Sequence, residues 1–239
     1  MTTDAPTLRP HPGSHVGLQL LALAALVALL VPAVSPGMAV SGGTGVKLLY
    51  LGRMLLLVAV ATWFLRLRGL GWADLGLRRP RWGRFALAIP LGYFGTVILA
   101  LIVRVVLTRA GVHAADYSMF DPIRGNLGLY LFWLLPVTWG SAAIGEELIF
   151  RGFVLDAIRR LLGAESRLRM FLAVLLQAIL FGLLHLYQGP GGAALAGTLG
   201  LTFGLVWWLS GRNLWACIVL HGIFDTVAMT AIYLGLPHA

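Results

Sequence analysis

Long stretches without a single charge dominate this chain. Val16–Ser35 is the first, with 20 consecutive uncharged and mostly apolar residues, about the length that an α-helix needs to cross a bilayer core. Only 11% of the residues are charged, against about 25% in ordinary soluble domains. We therefore predict an all-α fold, a polytopic transmembrane helix bundle of about seven spans. The predicted spans are Val16–Ser35, Leu48–Leu65, Phe85–Leu107, Leu127–Phe150, Leu168–Tyr187, Ala194–Ser210 and Leu214–Leu236.

The positive charge of the chain is concentrated in alternate loops. A net charge of +9 resides mainly in Arg66–Arg84, in Arg159–Arg169 and at Arg212, whereas Thr108–Asn126 and Gln188–Gly192 carry no net charge. The positive-inside rule then predicts a cytoplasmic N-terminus and seven crossings. Basic loops of this kind contact anionic headgroups, so we expect membrane lipids, and no nucleic acid, among the partners.

Three segments are predicted along the chain. Residues 1–15 are a disordered cytoplasmic tail, residues 16–84 hold the first helices and a basic cytoplasmic loop, and residues 85–236 form the functional core. The first span is expected to be retained rather than cleaved as a signal peptide, because its apolar stretch is longer than a signal core and its flank sets only Arg9 against Asp4. The single cysteine, Cys217, excludes a disulfide framework within the chain.

Ionisable groups inside the apolar spans mark the candidate site. Each costs about 2.5–3.5 kcal/mol at a span centre, so each is a functional hypothesis by default. Glu147 and Arg151 are spaced i,i+4 in the favourable order and should pair, which leaves Glu146 facing another neighbour. The remaining members are His185 and an i,i+4 pair, His221 and Asp225. The structural alternatives are a charge cluster at a helix end and a histidine that only satisfies a hydrogen bond.

Arg151 decides whether these groups can meet. The helical pattern continues past Phe150 to Leu162, and Gly163 is a natural stop. If the inner boundary of the membrane lies beyond Arg159, Arg151 is intramembrane and paired, and the groups can converge. If the boundary lies at Arg151, the site cannot assemble.

The chemistry of these groups is that of water activation. A carboxylate in a low-dielectric cavity can act as a general base. Two histidines can supply a second base and oxyanion donors, or they can bind a metal. Both routes lead to hydrolysis of an acyl or peptide bond.

Three motifs occur in order on successive apolar segments: Glu-Glu-x-x-x-Arg at Glu146–Arg151, Phe-x-x-x-His at Phe181–His185 and His-x-x-x-Asp at His221–Asp225. Together they resemble the CPBP family of intramembrane proteases, which includes type II CAAX prenyl endopeptidases and Abi-like, bacteriocin-processing relatives. The resemblance covers roughly Phe85–Leu236. Each motif is weak alone, and the ordered set is specific.

The resemblance implies a role for each residue. Glu146 and His185 would activate the water, and His221 with Asp225 would stabilise the oxyanion. Glu147, Arg151 and Phe181 would support the site. The family more often has Asn at the last position, and an ionised Asp225 cannot donate to an oxyanion. A metal-free mechanism and a divalent metal such as Zn held by His185 and His221 both remain open.

We therefore predict an intramembrane endopeptidase, a hydrolase of CPBP type that is metal-dependent or metal-free, acting on a membrane-associated protein or peptide. A ratio of 17 Arg to one Lys indicates a bacterial origin, so the expected location is the bacterial inner membrane. The alternative is a non-catalytic immunity or scaffold protein, or a proton-coupled transporter. The chain contains no His-Glu-x-x-His zinc motif.

Overall fold

The computed structural model describes residues 15–33, 35–163 and 166–236 of the chain. Within them lie nine α-helices and no strand, which confirms the predicted all-α bundle. Most of the predicted tail, residues 1–15, lies outside the described residues. The α-helices are α1 Val16–Ala33, α2 Pro36–Ser41, α3 Thr44–Leu67, α4 Trp82–Arg109, α5 Leu127–Phe132, α6 Leu155–Leu161, α7 Arg167–Leu183, α8 Gly189–Leu209 and α9 Leu214–Tyr233.

In the part of the chain that the structure describes, five helical runs are long and apolar enough to cross a membrane, against the seven spans expected. The five are Thr44–Leu67, Trp82–Arg109, Leu127–Leu161, Leu186–Leu209 and Leu214–Tyr233. The other two predicted spans correspond to shorter helices, since α1 has 18 residues and α7 has 17. At 1.5 Å per residue, α7 extends about 25 Å, somewhat less than a typical hydrocarbon core. The number of spans was therefore predicted approximately.

Apolar side chains cover the outside of the bundle as well as its interior. Leu87, Leu91, Phe94 and Ile98 on α4 are each about 60% exposed. A contiguous exposed apolar face of this kind marks a site of contact with membrane or protein. Together with the five long helices, it is the surface of an integral membrane protein.

One continuous helical run, Leu127–Leu161, carries the first motif; we call it the long helix. It begins at Asn126, whose side chain accepts a hydrogen bond from Leu129 N at 3.0 Å, and it includes α5 and α6. Between them the turns are π-helical over Trp133–Glu146 and Leu148–Val154. Pro136 has no N–H and its ring crowds the carbonyl one α-turn earlier, which a wider turn accommodates.

The long helix also places Arg151 well inside a membrane-spanning run. It does not stop at Phe150, where the fourth predicted span ended, but continues to Leu161. Gly163 follows in the left-handed conformation, with φ +58°, as expected at a helix C-terminus. The predicted continuation past Phe150 is thus confirmed, and the charge cluster does not lie at a helix end.

Small residues bring α7 and α8 into close contact. A Cβ added to Gly200 would lie 2.9 Å from Ala178 Cα, and one added to Gly204 would lie 2.7 Å from Val174 Cγ1. Membrane helices associate through such contacts between small residues. Helix α8 also lies beside the long helix, whose Arg151 donates to the carbonyls of Leu199 and Gly200.

Candidate active site

A buried carboxylate, Glu147, links the long helix to α9. Its Oε1 accepts a hydrogen bond from Arg151 Nη1 at 2.8 Å and lies 2.7 Å from His221 Nδ1. The Glu147 and Arg151 side chains are fully buried, and His221 is 4% exposed. Buried charges persist only when they are paired and hydrogen-bonded. Glu147 therefore holds two other ionisable groups of the cluster in fixed positions.

The Arg151 guanidinium is enclosed by α7 and α8. Its Nη2 donates to the carbonyls of Leu199 and Gly200 at 3.4 and 3.3 Å. The rings of Phe181 and Phe203 lie 4.6 and 5.3 Å from it, within the range of cation–π attraction. The predicted Glu147–Arg151 pair is confirmed, and Phe181 contacts the cation directly.

The two ring nitrogens of His221 face two different carboxylates. Nδ1 lies against Glu147, and Nε2 lies 3.3 Å from Asp225 Oδ2, which confirms the predicted i,i+4 contact. Because Arg151 keeps Glu147 in its acceptor form, Nδ1 must carry a proton. Attraction on the other side then needs one further proton between Nε2 and Asp225. The contact is made either by an imidazolium between two carboxylates or by a protonated Asp225.

The glycine that follows His221 allows this face of α9 to pack tightly. A Cβ on Gly222 would overlap the ring of Trp139, which lies in the first π-helical segment. The long helix therefore approaches α9 closely at Gly222. It fixes α9 against the long helix next to the His221 side chain.

His185 lies at the end of α7 with a defined tautomer. Its Nδ1 is 2.8 Å from the carbonyl oxygen of Phe181, and its ring centroid is 4.7 Å from that of Phe181. A carbonyl oxygen can only accept, so Nδ1 is the protonated nitrogen. In the neutral ring, Nε2 therefore keeps a lone pair that can take a proton or bind a ligand.

Glu146 differs from its neighbour Glu147 in its exposure and in its bonding. Its side chain is partly exposed, and the hydrogen bonds and ion pairs within the described residues do not involve its carboxylate. The charged groups that act on it electrostatically are His185, His221, Asp225 and Glu147. Its oxygens are thus available to a substrate or a water molecule within the field of the whole cluster.

All the predicted site residues belong to one neighbourhood, but the pairing differs from the simplest expectation. Glu147 was assigned to support of the fold through Arg151, and it also binds His221, 74 positions further along the chain. The sequence reasoning missed Gln177 and Phe203. Gln177 is fully buried and donates to the Gly200 carbonyl at 3.4 Å. The sequence could have identified Gln177, because a polar side chain within an apolar span needs a hydrogen-bond partner.

The donor set does not match a typical catalytic zinc site. Such sites supply three protein ligands and leave one open position. Among the described residues, no three His, Cys, Asp or Glu side chains are grouped so that they could hold a metal ion. Of the two histidines predicted as ligands, His221 has its Nδ1 occupied by Glu147. The described residues thus do not form a zinc site of that kind, and the divalent metal at His185 and His221 stays a prediction.

The family comparison agrees with this site. Residues 128–227 match the family model described as "Rce1-like: Type II CAAX prenyl endopeptidase Rce1-like". This part of the chain contains all three motifs and is similar to that family, which confirms the resemblance to CPBP intramembrane proteases. Comparison with curated proteins and with solved structures finds no match. The match supports a CAAX-type intramembrane protease in general.

Proposed function

We propose that this protein is an intramembrane endopeptidase that hydrolyses a peptide bond with a water molecule activated by Glu146 and His185. The observation that carries the proposal is the contrast between the two adjacent glutamates. Glu147 is fully buried and bound to Arg151 and His221, whereas Glu146 is partly exposed and unbound among the described residues. A base must reach its proton on a substrate or water, and Glu146 is the carboxylate with free oxygens.

In the proposed reaction, Glu146 takes a proton from water while the water oxygen bonds to the scissile carbonyl carbon. His185 Nε2, fixed by the Nδ1 contact to Phe181, orients the same water. The proton shared by His221 and Asp225 is donated toward the developing oxyanion. Collapse of the tetrahedral intermediate breaks the C–N bond, and the proton held by Glu146 passes to the leaving amine.

Asp225 departs from the family's usual Asn in a way that this proposal accommodates. A protonated Asp225, or an imidazolium at His221, supplies a donor where an amide would otherwise supply one. The second carboxylate, Glu147, orients His221 from the opposite ring nitrogen, as carboxylates orient histidines at many catalytic centres. Glu147 is therefore proposed as a positioning residue.

The proposed setting follows from the surface and charge distribution. The substrate is a membrane-associated protein or peptide, and membrane lipids surround the apolar faces of α4 and the other long helices. The proposed location is the bacterial inner membrane with a cytoplasmic N-terminus, because the basic loops alternate with neutral ones. A prenyl group on the substrate is not part of the proposal.

A proteomic comparison of membrane fractions tests the function directly. Cells producing the wild-type protein, the Glu146→Gln variant or a control variant, Asp116→Asn, are compared for peptides that differ in cleavage. Asp116 is exposed on the loop before α5, and its Oδ1 accepts from Ser118 N at 2.9 Å, a contact that asparagine retains. Both variants thus lose one carboxylate, but only one of them alters the site.

The expected result is a set of uncleaved membrane substrates that accumulates with Glu146→Gln and not with Asp116→Asn. Retained cleavage by a correctly folded Glu146→Gln protein would refute the proposed base. If the cleavage of membrane proteins is the same in all three strains, the non-catalytic alternative is favoured.

A further inference from the structure

A second, strongly basic site lies away from the catalytic cluster. A pocket of about 350 Å³ is lined by Arg78, Arg79 and Arg81 from the loop between α3 and α4, and by Ser210, Gly211 and Asn213 from the turn between α8 and α9. We call it the arginine pocket. Among the described residues no carboxylate lines it, and its volume falls in the range of small-molecule sites.

The arginine pocket has a fixed floor. Asn213 Nδ2 donates to the Arg78 carbonyl at 2.9 Å, and Leu214 N donates to the Gly76 carbonyl at 3.0 Å. In addition, Arg78 Nη2 donates to the Gly211 carbonyl at 3.3 Å. These bonds join the two chain segments, so the site is held in shape without a ligand.

The turn between α8 and α9 has an unusual backbone at this floor. Gly211 and Arg212 both have positive φ, +85° and +60°, and Arg212 is the only such residue other than glycine among the described positions. Left-handed conformations of non-glycine residues persist only where surrounding contacts over-determine them. The hydrogen bonds of the floor provide those contacts.

Arg212, in the turn beside the arginine pocket, lies close to other positive charges. Burial, followed by the charges of Arg159 and Arg78, lowers the pKa of Arg212, while Asp156 acts in the opposite sense. Asp156 is itself already bound by Arg159 at 2.9 Å and Arg160 at 2.7 Å. The neighbourhood therefore favours an anion.

The first turn of α4 adds to this field. Arg81 is the residue that caps α4, and no side chain bonds the free N–H groups of that turn. Unsatisfied N–H groups and the helix dipole favour anions at a helix N-terminus. The helix begins at the rim of the pocket, beside two exposed guanidinium groups, Arg79 and Arg81.

The pocket lies at the level where membrane-spanning runs begin and end. Trp82 starts one such run, Leu209 ends a second, and Leu214 starts a third. The Trp82 and Leu209 side chains are 71% and 73% exposed. Tryptophan at the end of a span is typical of the headgroup region, where phosphates are the abundant anions.

We propose that the arginine pocket binds a phosphate group through the forked guanidinium groups of Arg79 and Arg81. A lipid headgroup and inorganic phosphate share this chemistry, and planar bidentate recognition is what arginine provides. The inference is independent of the proteolytic function, because the pocket is built from other residues.

The test compares two double variants of the full-length protein in a neutral detergent. Arg79→Gln/Arg81→Gln removes two exposed charges from the pocket. Arg66→Gln/Arg167→Gln removes two exposed charges outside the lining, one in the last turn of α3 and one in the first turn of α7, at helix ends that the charge pattern places on the same side of the membrane. All four side chains are exposed, so both proteins are expected to fold as the wild type does, which size-exclusion chromatography checks.

Two probes distinguish the source of the phosphate. Native mass spectrometry measures retention of phosphatidylglycerol from mixed micelles with excess phosphatidylcholine, and calorimetry measures binding of inorganic phosphate. We expect affinity for at least one probe to fall about tenfold or more in the pocket variant, as about 1 kcal/mol per basic residue near an anionic surface implies. The control variant should stay within about twofold of wild type.

A loss confined to phosphatidylglycerol identifies a lipid headgroup as the ligand, and a loss confined to inorganic phosphate identifies a soluble phosphate. A third protein, Arg79→Lys/Arg81→Lys, keeps the charge without the fork and should bind with intermediate affinity. Equal losses in the pocket and control variants, or no loss in either with both probes, would overturn the proposal.

Discussion

The adjacent glutamates allow a test in which one chemical change, Glu→Gln, is made at two neighbouring positions. Glu147 is fully buried, and its Oε1 contacts Arg151 at 2.8 Å and His221 at 2.7 Å. Removing its charge leaves a fully buried guanidinium without a counter-charge. Breaking a buried ion pair by removing one partner costs about 3–5 kcal/mol. Glu146 is partly exposed and unpaired among the described residues, so Glu146→Gln should change stability by about 0.5 kcal/mol or less.

The single cysteine gives a direct way to measure the difference. Cys217 is fully buried and donates to the Phe203 carbonyl at 3.3 Å, one helical turn before His221. A maleimide dye that fluoresces on reaction with thiols will label it only when the bundle opens. For a chain of this size, 1 kcal/mol corresponds to about 2–4 °C in Tm. We therefore expect Glu147→Gln to melt about 6–20 °C below the wild type.

Two outcomes of this comparison would contradict the reasoning. A Glu147→Gln protein that melts with the wild type would show that the buried pair does not hold the site together. A Glu146→Gln protein that falls as far as Glu147→Gln would show that Glu146 is a structural residue, and the proposed base would then be lost with it.

Three further experiments test the packing of α7 and α8, the role of Asp225 and the need for a metal. Gly200→Ala should lower the free energy of unfolding by about 1–3 kcal/mol, because the new Cβ would lie 2.9 Å from Ala178 Cα. Thermal unfolding followed by labelling of Cys217 measures this change. A Tm equal to that of the wild type would contradict the close packing of α7 and α8. Asp225→Asn should retain cleavage of the substrates found by proteomics, since the amide of Asn supplies the hydrogen-bond donor that a protonated carboxyl would supply. Loss of cleavage would instead show that the reaction needs the negative charge of Asp225. Purified protein should contain well under one zinc per chain, and a chelator should leave cleavage unchanged, because the donors within the described residues match no three-ligand site. Stoichiometric zinc that is lost together with activity would instead support the divalent metal predicted at His185 and His221.

Much of the local geometry was predictable from spacing alone. A helix places residues four positions apart on one face, which is why the pairs Glu147–Arg151 and His221–Asp225 were expected and are found at 2.8 and 3.3 Å. The glycine contacts of α8 were predictable for a similar reason, because helices approach each other closely where side chains are small.

Two features were less accessible from the sequence. Whether α1 and α7 are long enough to cross a membrane depends on where each helix stops, and apolar composition defines such limits only loosely. The π-helical turns around the first motif contain Pro136 and pack against α3 and α9, and the local sequence does not encode those contacts between helices.

The cluster of ionisable groups shows which features the sequence determines and which depend on the tertiary structure. The charge distribution, the length of the apolar segments and the order of the motifs determined that this is a helical membrane protein whose buried ionisable groups belong to three helical segments. Only the tertiary structure decided that Glu147 reaches His221 across 74 positions, that Arg151 is enclosed by two rings and the carbonyls of α8, and that Glu146 is left without a partner among the described residues. The reason is physical: helical periodicity relates neighbours in sequence, whereas contacts between helices depend on how whole side-chain surfaces fit together.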